Sequence, residues 1–286
     1  MSFSAESSAT VEAFNQYVTE VQNKLTGFEA SQADLVSNIP SLLSSNMGKT
    51  LFVNPTTGNN SNDGLSWDTA VATIEGAAAK VPVGGRGTIY LKSGVTHQMV
   101  EQVDVENRAF VFIAESYDYY VASTYVPIQA IMVTAEDNTV RSGGFKIGRR
   151  SLMRFIGCQL LTGKYTTAQA SLTKHTWYSS FISSIGSKGT VFLEHCLVQI
   201  NNGQLTHQHT GGSIGSVDLY MRNVTISITP TANLVVAERF PYLVGQYSTD
   251  AMPFFLFGIE MTKPSGVTWA SLIYATLTYA TTNLKD

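Results

Sequence analysis

The sequence predicts a mainly β protein: a parallel β-helix (solenoid) body, reached through an N-terminal α-helical coiled-coil stalk that joins chains into a homotrimer. Three observations predict it. Apolar residues step by three and four from Val11 onward, a strand-and-turn template recurs between Met153 and Met261, and charge is sparse, 14% against 44% hydrophobic. Such a balance suits stacked strands with neutral polar surfaces better than a solvated helical protein. With a formal charge of −3 and no run of Lys or Arg, neither nucleic acid nor an anionic membrane surface has electrostatic support as a partner. No apolar stretch reaches the roughly 18 residues needed to span a bilayer, and Met1 to Thr10 lacks the basic-then-apolar order of a secretory signal. Synthesis in the cytoplasm without membrane insertion is therefore expected.

The stalk comes first. Val11, Phe14, Val18, Val21, Leu25 and Phe28, continued by Gln32, Leu35, Ile39 and Leu42, alternate steps that keep one seam facing a partner helix. Their mixture of β-branched and aromatic residues fits more than two strands, and three is the expectation. Gly27 weakens the helix by roughly 1 kcal/mol relative to Ala, and Ser31 with Asp34 before Leu35 resembles a fresh helix start, so a hinge is expected there. The alternative is an amphipathic helix lying on its own chain. Pro40 ends the pattern and Ser44 to Gly48 reads as a linker, which divides the chain into a helical stalk or attachment region at 1–48 and a body at 49–286. Within the body, 49–87 form an opening turn and capping helix, and 266–286 a terminal strand.

The body opens with Leu51-Phe52-Val53, followed by the turn formers Asn54-Pro55-Thr56-Thr57-Gly58-Asn59-Asn60-Ser61-Asn62-Asp63-Gly64. Thr73-Ile74-Glu75-Gly76-Ala77-Ala78-Ala79 comes next. These residues resemble the start of the pectate-lyase-like right-handed parallel β-helices of phage tail fibres and tailspikes. There a "V-[DN]-P-x-x-G-x-[DN]-x-[ND]-D-G" turn precedes a helix carrying "A-x-x-T-I-x-x-A". The resemblance covers about residues 50 to 95 and implies that Ile74, Ala77 and Ala78 cap the open end of the coil. A cap is physically required, because a first rung otherwise exposes a sheet edge and an apolar core.

Downstream, the template apolar-x-apolar-x-x-apolar-x-apolar fits Met153, Phe155, Cys158 and Leu160, then Val191, Leu193, Cys196 and Val198. It fits again at Leu219, Met221, Val224 and Ile226, and at Phe254, Leu256, Ile259 and Met261. Uneven steps between the repeats suit rungs with variable loops, although strands of an ordinary sandwich share such spacings. Ile89 with Leu91, and Val111 with Ile113, supply earlier rungs. The alignment stacks Cys158 on Cys196 as buried free thiols; neither belongs to a CxxC pair. The alternation from Val267 to Tyr279 predicts a final strand.

Candidate chemistry is thin, and no catalytic residue is assigned. A glycosidase needs two carboxyls about 5 to 9 Å apart; Glu194 and Asp218 fall in different columns, and Glu194 aligns with Arg222 as a surface ion pair. Glu101, Asp104 and Glu106 read as a solvated edge. His207 and His209 point the same way in an extended strand, so three chains could aim them at one axial transition-metal ion; the resemblance adds that some phage fibres hold iron in this way, while the place of the pair between Gly203 and Gly211-Gly212 also reads as a polar surface loop. No other cofactor is implied. The outward position within each repeat reads Arg154, Phe192, Tyr220 and Phe255, and the three aromatics are assigned to the subunit interface in preference to sugar stacking. The resemblance implies a structural virion protein, a tail fibre or tail appendage located on the virion tail. Its partners would be itself, other tail or baseplate proteins and host surface polysaccharide. A polysaccharide depolymerase is the alternative.

Overall fold

The computed structural model describes residues 12–33, 48–118, 125–170, 172–174, 180–184, 188–208, 215–229, 242–246, 254–274 and 280–284. The chain divides into two units, Met1–Asn46 and Met47–Asp286.

In the first unit, residues 12–33 form one helix, α1. Gly27 does not interrupt it, and Ser31 donates its hydroxyl to the Gly27 carbonyl at 2.9 Å within the continuing helix, so the expected break does not fall before residue 33. Val11, Leu35, Ile39 and Leu42 lie outside the described residues.

The second unit is a coil of parallel strands with three faces. The first face stacks β1 (Gly48–Val53), β2 (Arg86–Leu91), β5 (Ala109–Ala114) and β10 (Ser151–Ile156), then the leading halves of β14 (Lys188–Ile200) and β16 (Ser216–Ile228). It ends with β18 (Phe254–Ile259) and β20 (Ala280–Thr282). A second face holds β3 (His97–Met99), β6 (Val126–Ala130), β11 (Cys158–Leu161) and the trailing halves of β14 and β16. β4 (Gln102–Asp104), β9 (Gly144–Ile147), β13 (Ile182–Ser184), β15 (Thr206–Gln208), β17 (Val244–Gln246) and β19 (Ile273–Tyr274) form the third. Because each strand pairs with the equivalent strand one turn later, the architecture is a parallel β-helix with a dry centre.

The core follows from alternation along each strand, which sends every second side chain inward. Leu51, Ile89, Phe112, Phe155, Leu193 and Met221 form one inward column on the first face, all buried. Phe112 stacks on Phe155 at 4.9 Å and 14°, and Phe145 of the third face closes on both. Cys158 and Cys196 are buried free thiols between Val126 and Val224 in one column.

The opening turn and cap are built from side-chain bonds. Asn60 Oδ1 accepts the backbone N–H groups of Ala72 and Thr73, and the N-cap Thr73 hydroxyl accepts that of Gly76. Helix α2 (Ile74–Ala79) buries Ile74, Ala77 and Ala78. Gly58 is required by close approach, since a Cβ there would lie 2.3 Å from the Val71 carbonyl oxygen.

In the four rungs from β10 onward, the turn between the first and second faces is set by one left-handed residue each: Gly157 (φ 69), His195 (φ 49), Asn223 (φ 52) and Glu260 (φ 56). This residue bends the chain without breaking the ladder, so β14 and β16 run through both faces.

Three expectations need correction, and one element was not foreseen. Leu219 pairs with Leu256 and Tyr220 with Phe257, so the fourth repeat is two residues later than Phe254, Leu256, Ile259 and Met261 suggest. A slip of two keeps every side chain on its face, and apolar alternation cannot detect it. In β5 the inward residues are Phe110, Phe112 and Ala114, while Val111 and Ile113 face outward; both sides of that run are apolar, which hides its orientation. The stretch from Val267 is not one strand, because Trp269–Leu272 form a helical turn capped by Thr268, with Trp269 and Leu272 buried three apart. Finally, β7 (Met132–Thr134) and β8 (Thr139–Ser142) pair antiparallel in a lateral hairpin with its own cluster of Met132, Val140 and Tyr165.

Candidate functional site on the outer sheet face

The outward side of the first face is the candidate site. One column runs Thr50, Thr88, Val111, Arg154, Phe192, Tyr220 and Phe257. Identical strand spacing puts its last three rings in register, with Phe192 on Tyr220 at 5.0 Å and 17°, and Tyr220 on Phe257 at 5.9 Å and 7°. Such contacts add about 0.5–1.5 kcal/mol each beyond their buried area.

Phe255 was expected in this column and stands in the next one, beside Asp218. Its backbone N–H donates to Asp218 Oδ1 at 2.9 Å, and Lys188, which pairs with Asp218 at 3.0 Å, also covers the Phe255 ring at 4.7 Å. Phe257, which no pattern singled out, takes the place expected of Phe255; only the ladder register reveals it. A second aromatic group sits at the other end of the face. Phe52 stacks on Tyr90 at 5.4 Å and meets Trp67 edge-on at 4.9 Å, with the Lys92 ammonium 4.8 Å over the Trp67 ring.

Between the two groups lies an open groove of about 330 Å³, lined by Arg86, Ala109, Val111, Leu152, Arg154, Phe192 and Glu194. It exists because the small Ala109 stands in one column between Arg86 and Leu152. Glu194 is aligned with Arg222 as expected, yet its carboxylate meets Arg154, one rung earlier, at 2.6 Å. With one carboxylate in its lining, tied to a guanidinium, the groove does not present the facing pair that glycoside hydrolysis uses.

The remaining candidates are scattered. Glu101, Asp104 and Glu106 are exposed, and Asp104 accepts the Glu106 backbone N–H at 2.9 Å while facing Lys146 at 3.6 Å. His207 shares an outward column with Lys146 and Ser183 but is buried, and its Nδ1 lies 3.1 Å from Gln204 Nε2. His209 lies outside the described residues. Among the described residues, no three His, Cys, Asp or Glu side chains cluster as metal ligands, and no helix is long and apolar enough to cross a membrane. In the helix, Phe14, Val21, Leu25 and Phe28 are 65%, 45%, 55% and 59% exposed, and Val18 is half-buried.

Three buried groups have shifted acidities. Burial pushes the Cys158 thiol well above its ordinary value, with a further push from Cys196, and burial raises Cys196 to about 12. Burial also lowers His97, against a weaker opposing hydrogen bond from its Nε2 to the Lys92 carbonyl at 3.0 Å.

No family model and no curated protein matches the chain. Among solved structures, the pectin methylesterase from Aspergillus niger in deglycosylated form is similar over 79% of this chain and 70% of that one. The identity is 15% and the TM-score 0.37.

Proposed function

We propose that the chain is a structural virion protein, a phage tail fibre or tail appendage. It assembles as a homotrimer, attaches to other tail or baseplate proteins, and contacts the host surface. The observation that carries this reading is the seam of α1. Phe14, Val21, Leu25 and Phe28 follow the spacing of an inter-helix contact and stand mostly exposed in a single chain. The outer sheet face supports it, since Phe192, Tyr220, Phe257 and Phe255 offer a second apolar surface suited to side-by-side copies. The phage setting rests on the resemblance of the 53–64 turn and the capping helix.

Labelling purified particles with antibody to this chain tests the assignment. We expect label on the tail and loss of adsorption when the coding sequence is deleted; unlabelled particles that adsorb normally contradict it. Against the depolymerase alternative, incubation with host polysaccharide should release no new reducing or unsaturated ends. Elemental analysis of the purified protein tests the axial metal at His207 and His209, and an empty result ends that idea.

A further inference from the structure

We propose that copies of this chain associate through α1 in parallel and without stagger, Lys24 of each helix facing Glu29 of its neighbour. The inference deepens the trimer reading and rests on it. With Val18 and Leu25 in one seam position and Phe14, Val21 and Phe28 in the other, the residues flanking the seam fall into two rows. One holds Asn15, Gln22 and Glu29, and the other Tyr17, Lys24 and Ser31. All of them lie in the described helix.

Side by side in the same direction, each residue of the second row meets the residue five positions later in the first row of its neighbour. That pairs Tyr17 with Gln22 and Lys24 with Glu29. Run in opposite directions, the helices would set each row against itself. Lys24 would then meet only Tyr17, Ser31 or another Lys24, and Glu29 only Asn15, Gln22 or another Glu29. No opposite charges would meet. A parallel arrangement slipped by one heptad sets Lys24 against Gln22 and Glu29 against Ser31, or, in the other sense, Lys24 against a residue beyond the described helix and Glu29 against Tyr17. Charge thus selects both direction and register. Lys24 also reaches Glu20 of its own helix at 2.8 Å, but both side chains are largely in water, at 76% and 64% exposure, so the contact does not hold Lys24 away from the seam.

The test uses the full chain with one cysteine added per variant; Cys158 and Cys196 are buried and do not compete. Phe14→Cys alone and Phe28→Cys alone should each give disulfide-linked chains under mild oxidation, because equal positions meet in a parallel register. Links that form only when the two variants are mixed and reassembled overturn the inference while leaving the assembly intact. A protein that runs as a single chain by native mass overturns the trimer reading as well. Lys24→Glu should raise the concentration of half-dissociation on the order of tenfold, by replacing three attractions with three repulsions. Adding Glu29→Lys to that variant should restore it, and a double variant no tighter than Lys24→Glu rules out the pairing.

Discussion

The helix and the coil use the same apolar residue types to opposite ends. In the coil Phe110, Phe112, Phe145, Phe155 and Phe181 are fully buried within one chain, whereas Phe14 and Phe28 of α1 stand 65% and 59% exposed. A winding chain covers its own core, because each rung is the lid of the rung before it, and α2 closes the first. A lone amphipathic helix has no such second layer. The difference teaches that folding belongs to the coil, and that association, on the proposed function, belongs to the helix.

The contrast breaks most severely at Phe155, which touches Phe112 and Phe145 at the centre of the stack. Phe155→Ala should cost about 3–5 kcal/mol, read as a lower urea midpoint of the coil. An effect below about 1 kcal/mol would mean that the rungs are not mutually supporting. Smaller, and of opposite sign, is Glu260→Gly. Glu260 is exposed and occupies the left-handed bend that Gly157 fills three rungs earlier, so glycine there should stabilise by about 0.5–1 kcal/mol. His195 and Asn223 occupy the same bend but bond to each other at 2.9 Å, so replacing them would mix two effects.

The most gradual effect is that of pH. Folding holds His97 neutral by lowering its pKa below the ordinary 6.5. An unfolded chain protonates near that value and the folded one does not, so stability present above about pH 6.5 declines as the pH falls below it. His97→Met should flatten this decline, measured as urea midpoints at neutral and mildly acid pH. The thiols sharpen the comparison in another way. With the acidities of Cys158 and Cys196 raised by burial, thiol reagents should label neither until denaturant opens the coil.

Much of the coil was legible in the sequence because its signals are local. The opening turn and the buried face of α2 are written in contiguous residues, and the repeats at Met153, Val191 and Leu219 share both their alternation and their bend. The fourth repeat was misplaced because alternation has period two, while the deciding mark, a left-handed residue, is glycine in one rung and Glu260 in another. Trp269 to Leu272 alternate like a strand and yet form a helical turn, where Thr268 supplies a cap. The outer groove was invisible, since it depends on Ala109 standing between Arg86 and Leu152, residues brought together only by the winding. Glu194 likewise chose Arg154 over the aligned Arg222, a matter of side-chain reach.

The most direct measurement is a paired one on the full chain carrying Phe14→Asp and Val21→Asp, with native mass and urea midpoint recorded against the unaltered protein. We expect a fall from three times 31.0 kDa to a single chain of about that mass, with the midpoint of the coil unchanged. An assembly that survives the two charges, or a coil that unfolds together with the seam, would contradict it.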